Sequence, residues 1–175
     1  IHFLHVQRLG GVLADDMGLG KSVEAIAFML KRLGENQKKV SQKPFLIVAP
    51  TSVVENWEME LEKFAPSIRF ITLRRGDRAD DYKKIKKTDV ILISYALLAR
   101  DFEQLKDLEF ESVILDEAQF VKNHNSKSYG CVRKLKSHTK FAMTGTPMEN
   151  NLMELWSIFS IVAPGLFGSP KHFTE

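Results

Sequence analysis

The chain has 175 residues, 44% of them hydrophobic and 27% charged, and 25 Lys and Arg against 22 Asp and Glu give it a formal charge of +3. That is apolar material enough for one compact domain with a real core, and too little net charge to hold the chain open by self-repulsion. No apolar run approaches the roughly 18 residues of a membrane span, so no membrane partner is expected, and the single cysteine, Cys131, rules out an internal disulfide and suits a reducing interior.

In chain order, Ile1-His2-Phe3-Leu4 opens without Met in a helical pattern, and the chain ends as abruptly at His172-Phe173-Thr174-Glu175, so it reads as a piece of something longer. Apolar runs predict strands over residues 11–15, 45–49, 69–73, 90–93, 112–115 and 140–143. Their Val, Ile, Leu and Phe content, with little polar alternation, suits strands buried on both faces. Helical patterns fill residues 21–33, 53–64, 79–87, 127–136 and 152–162, and Thr51 or Ser52 with Glu55 resembles a capping box for the second of these. Strand–helix alternation at this rhythm predicts an α/β fold of three layers, a mostly parallel central sheet with helices on both faces. Such sheets place ligands at the carboxyl ends of their strands.

Three of those ends carry chemistry. The first strand runs into Asp15-Asp16-Met17-Gly18-Leu19-Gly20-Lys21-Ser22 and then a helix. This is nearly a P-loop, with Asp15 where the first glycine of the pattern would stand. Gly18 and Gly20 allow backbone N–H groups to turn towards phosphate oxygens, Lys21 would reach the β- and γ-phosphates, and Ser22 would ligate Mg²⁺. The run Val113-Ile114-Leu115 delivers Asp116-Glu117-Ala118-Gln119. Asp116 would hold the metal and Glu117 would orient and deprotonate a water. Phe141-Ala142-Met143 leads into Thr144-Gly145-Thr146-Pro147, which reads either as a plain turn or as a set of hydroxyls sensing the acidic loop.

The basic residues Arg69, Arg74, Arg75, Arg78, Lys83, Lys84, Lys86 and Lys87 suit either a phosphate-binding face or a solvated helix, and charge alone favours the helix. His2, His5, His124, His138 and His172 have no metal-ligand spacing, and Trp57 and Trp156 sit on amphipathic helices, which favours packing over base-stacking.

Taken together, these stretches resemble the first, N-terminal RecA-like lobe of superfamily-two helicases, and within them the Swi/Snf-like ATPases that translocate on double-stranded DNA. The match runs in order along nearly the whole chain. Leu13–Ser22 is similar to the family's motif I, and Ala49-Pro50-Thr51-Ser52 with Asn56-Trp57 and Glu60 to motif Ia. Asp89–Tyr95 resembles the segment ending in Ser-Tyr, Asp116–Gln119 with Lys122-Asn123 resembles motif II, and Thr144–Pro147 with Glu149-Asn150 and Glu154-Leu155-Trp156 resembles motif III and its following helix.

The resemblance implies an ATP hydrolase using ATP and Mg²⁺. Asp16, Met17, Gly18, Leu19, Gly20, Lys21 and Ser22 would bind the nucleotide, Ser22 and Asp116 the metal. Gln119, Thr144, Gly145 and Thr146 would couple that site to movement. Pro50, Thr51, Ser52, Ser94 and Tyr95 would face duplex DNA through its backbone, as a motor that must not pause at one sequence requires. Gln119 departs from the His of many relatives, which implies tuning, since both side chains donate and accept. Gln7 stands too close to the P-loop to be the family's upstream glutamine motif. The second RecA-like lobe, with its arginines, would complete the site, so residues 1–175 by themselves are expected to be nearly inactive.

The implied partners are double-stranded DNA, the second lobe and DNA-bound proteins, whether nucleosomes or a transcription complex, in a nucleoid or nucleus. The rival readings are a strand-separating DNA or RNA helicase, a GTPase switch, which would need an Asn-Lys-x-Asp segment that is absent, and a nucleotide-independent scaffold.

Overall fold

A computed structural model of the chain describes residues 1–14, 20–36, 43–74, 79–145 and 152–169. Its centre is a six-stranded sheet: β1 Gly11–Ala14, β2 Phe45–Ala49, β3 Phe70–Thr72, β4 Val90–Ser94, β5 Glu109–Leu115 and β6 Lys136–Thr144. The order is β1-β6-β5-β2-β4-β3 and every pairing is parallel. Ala14 lies beside Thr144, Leu115 beside both Ala142 and Val48, and Ala49 beside Ser94. The carboxyl ends of five strands therefore share one edge.

Side chains alternate across this sheet with the period of two that a pleat imposes. Leu46, Val48, Ile91, Ile93, Val113 and Leu115 point to one face, where helices α5 Tyr95–Leu105, α6 Lys127–Lys134 and α7 Leu152–Val162 cover them. Phe45, Ile47, Ala49, Leu92, Ile114 and Met143 point to the other, under α2 Lys21–Asn36 and α3 Val54–Phe64. Helix α3 buries Val54, Trp57 and Leu61, three residues on one helical stripe. The short helices α1 His2–Val6 and α4 Ala79–Lys84 complete the chain. The expected three layers are present.

All six expected strands form, but β5 and β6 start earlier than expected. Glu109 and Glu111 flank the buried Phe110, and Lys136, Ser137 and His138 open β6, all five of these polar residues exposed or half-buried, so no continuous apolar run reveals these starts. Lys136 thereby belongs to β6, and α6 ends at Lys134 because Leu135 turns extended. The helix over 95–105 was not expected. It follows β4 without a connecting residue, and Ser94, its cap, accepts the Leu97 N–H at 3.2 Å.

The capping box at the head of α3 does not form: Val53 is the cap residue and no side chain caps it. Val53 N–H instead closes a turn onto the Pro50 carbonyl at 2.9 Å, which leaves Thr51 and Ser52 exposed.

At the opposite end of the sheet a buried polar network ties α1 to the core. His5, 1% exposed, meets Thr139 Oγ1 at 2.8 Å and Glu111 Oε1 at 3.1 Å. An ionised Glu111 can only accept, so His5 Nε2 carries the proton. Arg32 on α2 donates to the same Glu111 oxygen at 2.6 and 3.2 Å. The His5 bond and the Arg32 guanidinium outweigh burial and hold the Glu111 carboxyl at about 2. No described helix is long and apolar enough to cross a membrane.

Two outcomes follow for stability. A Cβ at Gly10 would lie 1.9 Å from the Val162 carbonyl oxygen and 2.3 Å from that of Lys140, both backbone atoms that cannot step aside. Gly10→Ala is expected to lower the unfolding free energy by about 3 kcal/mol in denaturant titrations. Because Glu111 is depressed from 4.5, its contribution is complete above that pH and disappears as pH falls towards 2. Glu111→Gln should cost about 2 kcal/mol at pH 7, with a gap from wild type that narrows below pH 4.5 when unfolding is followed against pH.

Candidate nucleotide site and its neighbouring cleft

The site begins where β1 hands over to α2. Gly20 has φ +79°, a left-handed backbone that glycine alone adopts without strain. No atom lies within 4 Å of where its Cβ would be, so conformation and not space demands the glycine. Its carbonyl accepts the Glu24 N–H at 3.0 Å, closing the first turn of a 16-residue helix. Lys21 and Ser22 thus sit in the first turn of that helix, where backbone N–H groups and the helix dipole favour an anion. Asp16, Met17, Gly18 and Leu19 lie outside the described residues.

Asp116 follows β5, and its N–H extends the ladder to the Val48 carbonyl at 2.8 Å. Three further bonds fix it. Tyr95 Oη donates to its carbonyl at 2.7 Å, the Glu117 N–H to Oδ1 at 2.9 Å, and Trp57 Nε1 to Oδ2 at 2.9 Å. The side chain is 9% exposed, and this burial raises the carboxyl above its ordinary value. The Trp57 and Glu117 N–H bonds and the Lys21 charge oppose that rise, while the Glu117 carboxylate adds to it.

Glu117 itself is left-handed, φ 48° and ψ 57°, a strain of about 1–3 kcal/mol for a residue with a side chain. Gln119 Nε2 donates to Glu117 Oε2 at 2.6 Å, and Gln119 Oε1 accepts from Thr144 Oγ1 at 3.3 Å. A chain of hydrogen bonds therefore runs from the end of β6 to the second carboxylate. Gly145 follows Thr144 in a bend, and Thr146 lies outside the described residues.

Gly20, Lys21, Ser22, Trp57, Asp116 and Glu117 line one cleft of about 630 Å³. Its hard oxygen donors suit Mg²⁺, which takes few protein ligands beside water and phosphate. No cluster of three or more His, Cys, Asp or Glu able to hold a metal occurs among the described residues. Ser22 and Asp116 are the side chains that would hold the ion.

A second cleft of about 440 Å³ opens beyond α3, lined by Thr51, Val54, Thr72, Arg74, Ser94 and Arg100 among others. The five residues expected to face nucleic acid divide here. Thr51 and Ser94 line the cleft, and Ser52 is exposed beside it. Pro50 is buried, and Tyr95 is 3% exposed with its hydroxyl turned inward to Asp116. Arg74, held by Glu58 at 2.7 Å, keeps its guanidinium half out in solvent, as does Arg100. Arg69 instead pairs with Asp89 at 2.8 Å. Arg75 and Arg78 lie outside the described residues.

Sequence reasoning missed Arg100 and the polar roles of Trp57 and Tyr95. For Trp57 a signal existed: a buried indole must find an acceptor for its N–H. Trp156 does so at the Gly168 carbonyl, 3.3 Å away.

The SNF2-related domain profile matches residues 2–175. A solved structure, the Sulfolobus solfataricus SWI2/SNF2 ATPase core in complex with dsDNA, superposes with a TM-score of 0.87 at 42% identity, over 99% of this chain and 35% of that one. Bacillus subtilis YwqA, which bears the name of an ATP-dependent helicase/translocase, is 43% identical over 98% of this chain and 18% of its own length. The Saccharomyces cerevisiae ISWI chromatin-remodeling complex ATPase ISW2 is 35% identical over 98% of this chain and 16% of its own. The chain thus spans less than a fifth of either relative. Its sheet is the RecA-like one of the SWI2/SNF2 core, and the chain belongs to the SNF2-related domain family.

Proposed function

We propose that these residues are the ATP-binding lobe of a DNA-dependent ATPase that moves along double-stranded DNA and remodels or displaces proteins bound there. The observation that carries this is the meeting of Lys21 and Ser22 with Asp116 and Glu117 in one cleft, one helix away from a second cleft lined by hydroxyls and arginines. Lys21 offsets phosphate charge, and the N-terminal N–H groups of α2 orient the phosphate oxygens. Ser22 and Asp116 would hold Mg²⁺, which would neutralise phosphate charge. Glu117 orients the attacking water and takes its proton, and Gln119, bonded to Glu117 and to Thr144, senses which state that carboxylate is in.

Thr51, Ser52, Ser94, Arg74 and Arg100 offer donors and positive charge to phosphates of the DNA backbone. A second RecA-like lobe closing over the cleft would bring the arginines that the transition state needs, worth about 10³–10⁵ in rate. The protein would work wherever its DNA is, in a nucleoid or a nucleus.

The test is steady-state ATPase activity of the complete protein with duplex DNA, single-stranded DNA and RNA at matched salt. Stimulation chiefly by duplex DNA is expected; stimulation chiefly by single strands or RNA would support a strand-separating helicase, and no ATP turnover a scaffold. Lys21→Ala should lower turnover by about a hundredfold or more, and a variant as active as wild type contradicts the assignment of the phosphate site.

A further inference from the structure

Two buried aromatic side chains reach Asp116 from segments that begin at the second cleft. Trp57, 1% exposed, stands in the first turns of α3, just beyond Thr51 and Ser52, and its indole N–H ends on Asp116 Oδ2. Tyr95, the first residue of α5, directly follows Ser94, and its hydroxyl ends on the Asp116 carbonyl. The start of α3 is also the wall between the two clefts: Thr51 and Val54 line the outer one, Val53 and Trp57 the nucleotide cleft.

We propose that Trp57 and Tyr95 are positioning residues through which a nucleic-acid phosphate bound at Thr51 and Ser94 sets the orientation of Asp116. This rests on the reading above, that duplex DNA occupies the outer cleft. The geometry gives each bond a distinct task. Trp57 and the Glu117 N–H hold the two carboxylate oxygens separately, so together they fix the rotation of the group that would hold a metal ion. Tyr95 holds the backbone from which that group projects.

The connections are also stiff. An indole has a single donor and no acceptor, and a ring packed at interior density passes on a shift of its helix without absorbing it. At the other start point, Ser94 Oγ accepts the Leu97 N–H, which leaves its own proton to donate to a phosphate oxygen. A phosphate engaged there pulls on the first turn of α5, and Tyr95 is its first residue. Outer partners that orient a metal ligand typically contribute 10–100-fold to affinity or activity.

The complete protein, labelled with 5-fluorotryptophan, tests this. The Trp57 fluorine resonance, assigned by its loss in Trp57→Phe, should shift when duplex DNA is added without nucleotide. In the Trp57→Phe protein the ratio of duplex-stimulated to basal ATP turnover should fall about tenfold, while duplex affinity stays within about twofold. Tyr95→Phe should act in the same direction. Leu105→Ala, a buried substitution at the far end of α5, should lower thermal stability and leave the ratio unchanged, which separates positioning from general weakening. A resonance unmoved by saturating duplex, or a Trp57→Phe protein that keeps the wild-type ratio, overturns the proposal and leaves the functional reading standing. A wild-type protein whose turnover duplex DNA does not raise overturns both.

Discussion

Parallel strand pairing is the constraint on which the remaining structure depends. Because all five pairings run the same way, β1, β2, β4, β5 and β6 all release their chains at one edge of the sheet. Every strand must then be followed by a crossover, and the crossovers cover both faces with helices. The edge gathers loops from distant parts of the sequence, and it is there that Gly20, Thr51, Ser94, Asp116 and Thr144 come together. Neither Asp116 nor Lys21 could find the other in an antiparallel arrangement, where successive strands open at opposite ends.

At that edge the fold spends stability on geometry. Asp116 is a mostly buried carboxylate, which burial disfavours, and Glu117 has a left-handed backbone. Both conditions persist because the surroundings over-determine them: the ladder holds the Asp116 N–H, Tyr95 its carbonyl, and Trp57 and the Glu117 N–H its two side-chain oxygens. A charge-assisted hydrogen bond contributes about 1.5–3 kcal/mol, enough to offset strain of this size. The opposite end of the sheet does the reverse. There His5, Glu111 and Arg32 form a satisfied network that secures α1 and takes no part in the nucleotide cleft.

Much of this was legible in the sequence because buried parallel strands are uniformly apolar, and all six were located from that signal. The chemistry-bearing ends were legible too, since glycine, lysine and paired carboxylates stand directly after those runs. Where expectation failed, the cause was local. Residues 95–105 follow β4 without a turn residue, so no Gly or Pro marks the start of α5. The Thr51–Glu55 spacing suggested a capping box, but the turn that Val53 closes onto Pro50 carries Thr51 and Ser52 away from the helix end. Trp57 and Tyr95 look like packing and surface groups in a one-dimensional reading. Their bonds to Asp116 span 59 and 21 residues, and periodicity carries no information about pairs so far apart.

Asp116 is the point at which the nucleotide cleft, the β5 ladder and both aromatic side chains meet, and Asp116→Asn in the complete protein addresses that claim most directly. The amide keeps the shape and an acceptor for Trp57, gives up the bond from the Glu117 N–H, and removes the charge that would hold a divalent ion. The account predicts a folded protein, less stable by about 1.5–3 kcal/mol for the one charge-assisted bond lost, with ATP turnover lowered by about a hundredfold or more at saturating duplex DNA. A folded Asp116→Asn protein that turns over ATP within a few-fold of wild type would contradict it.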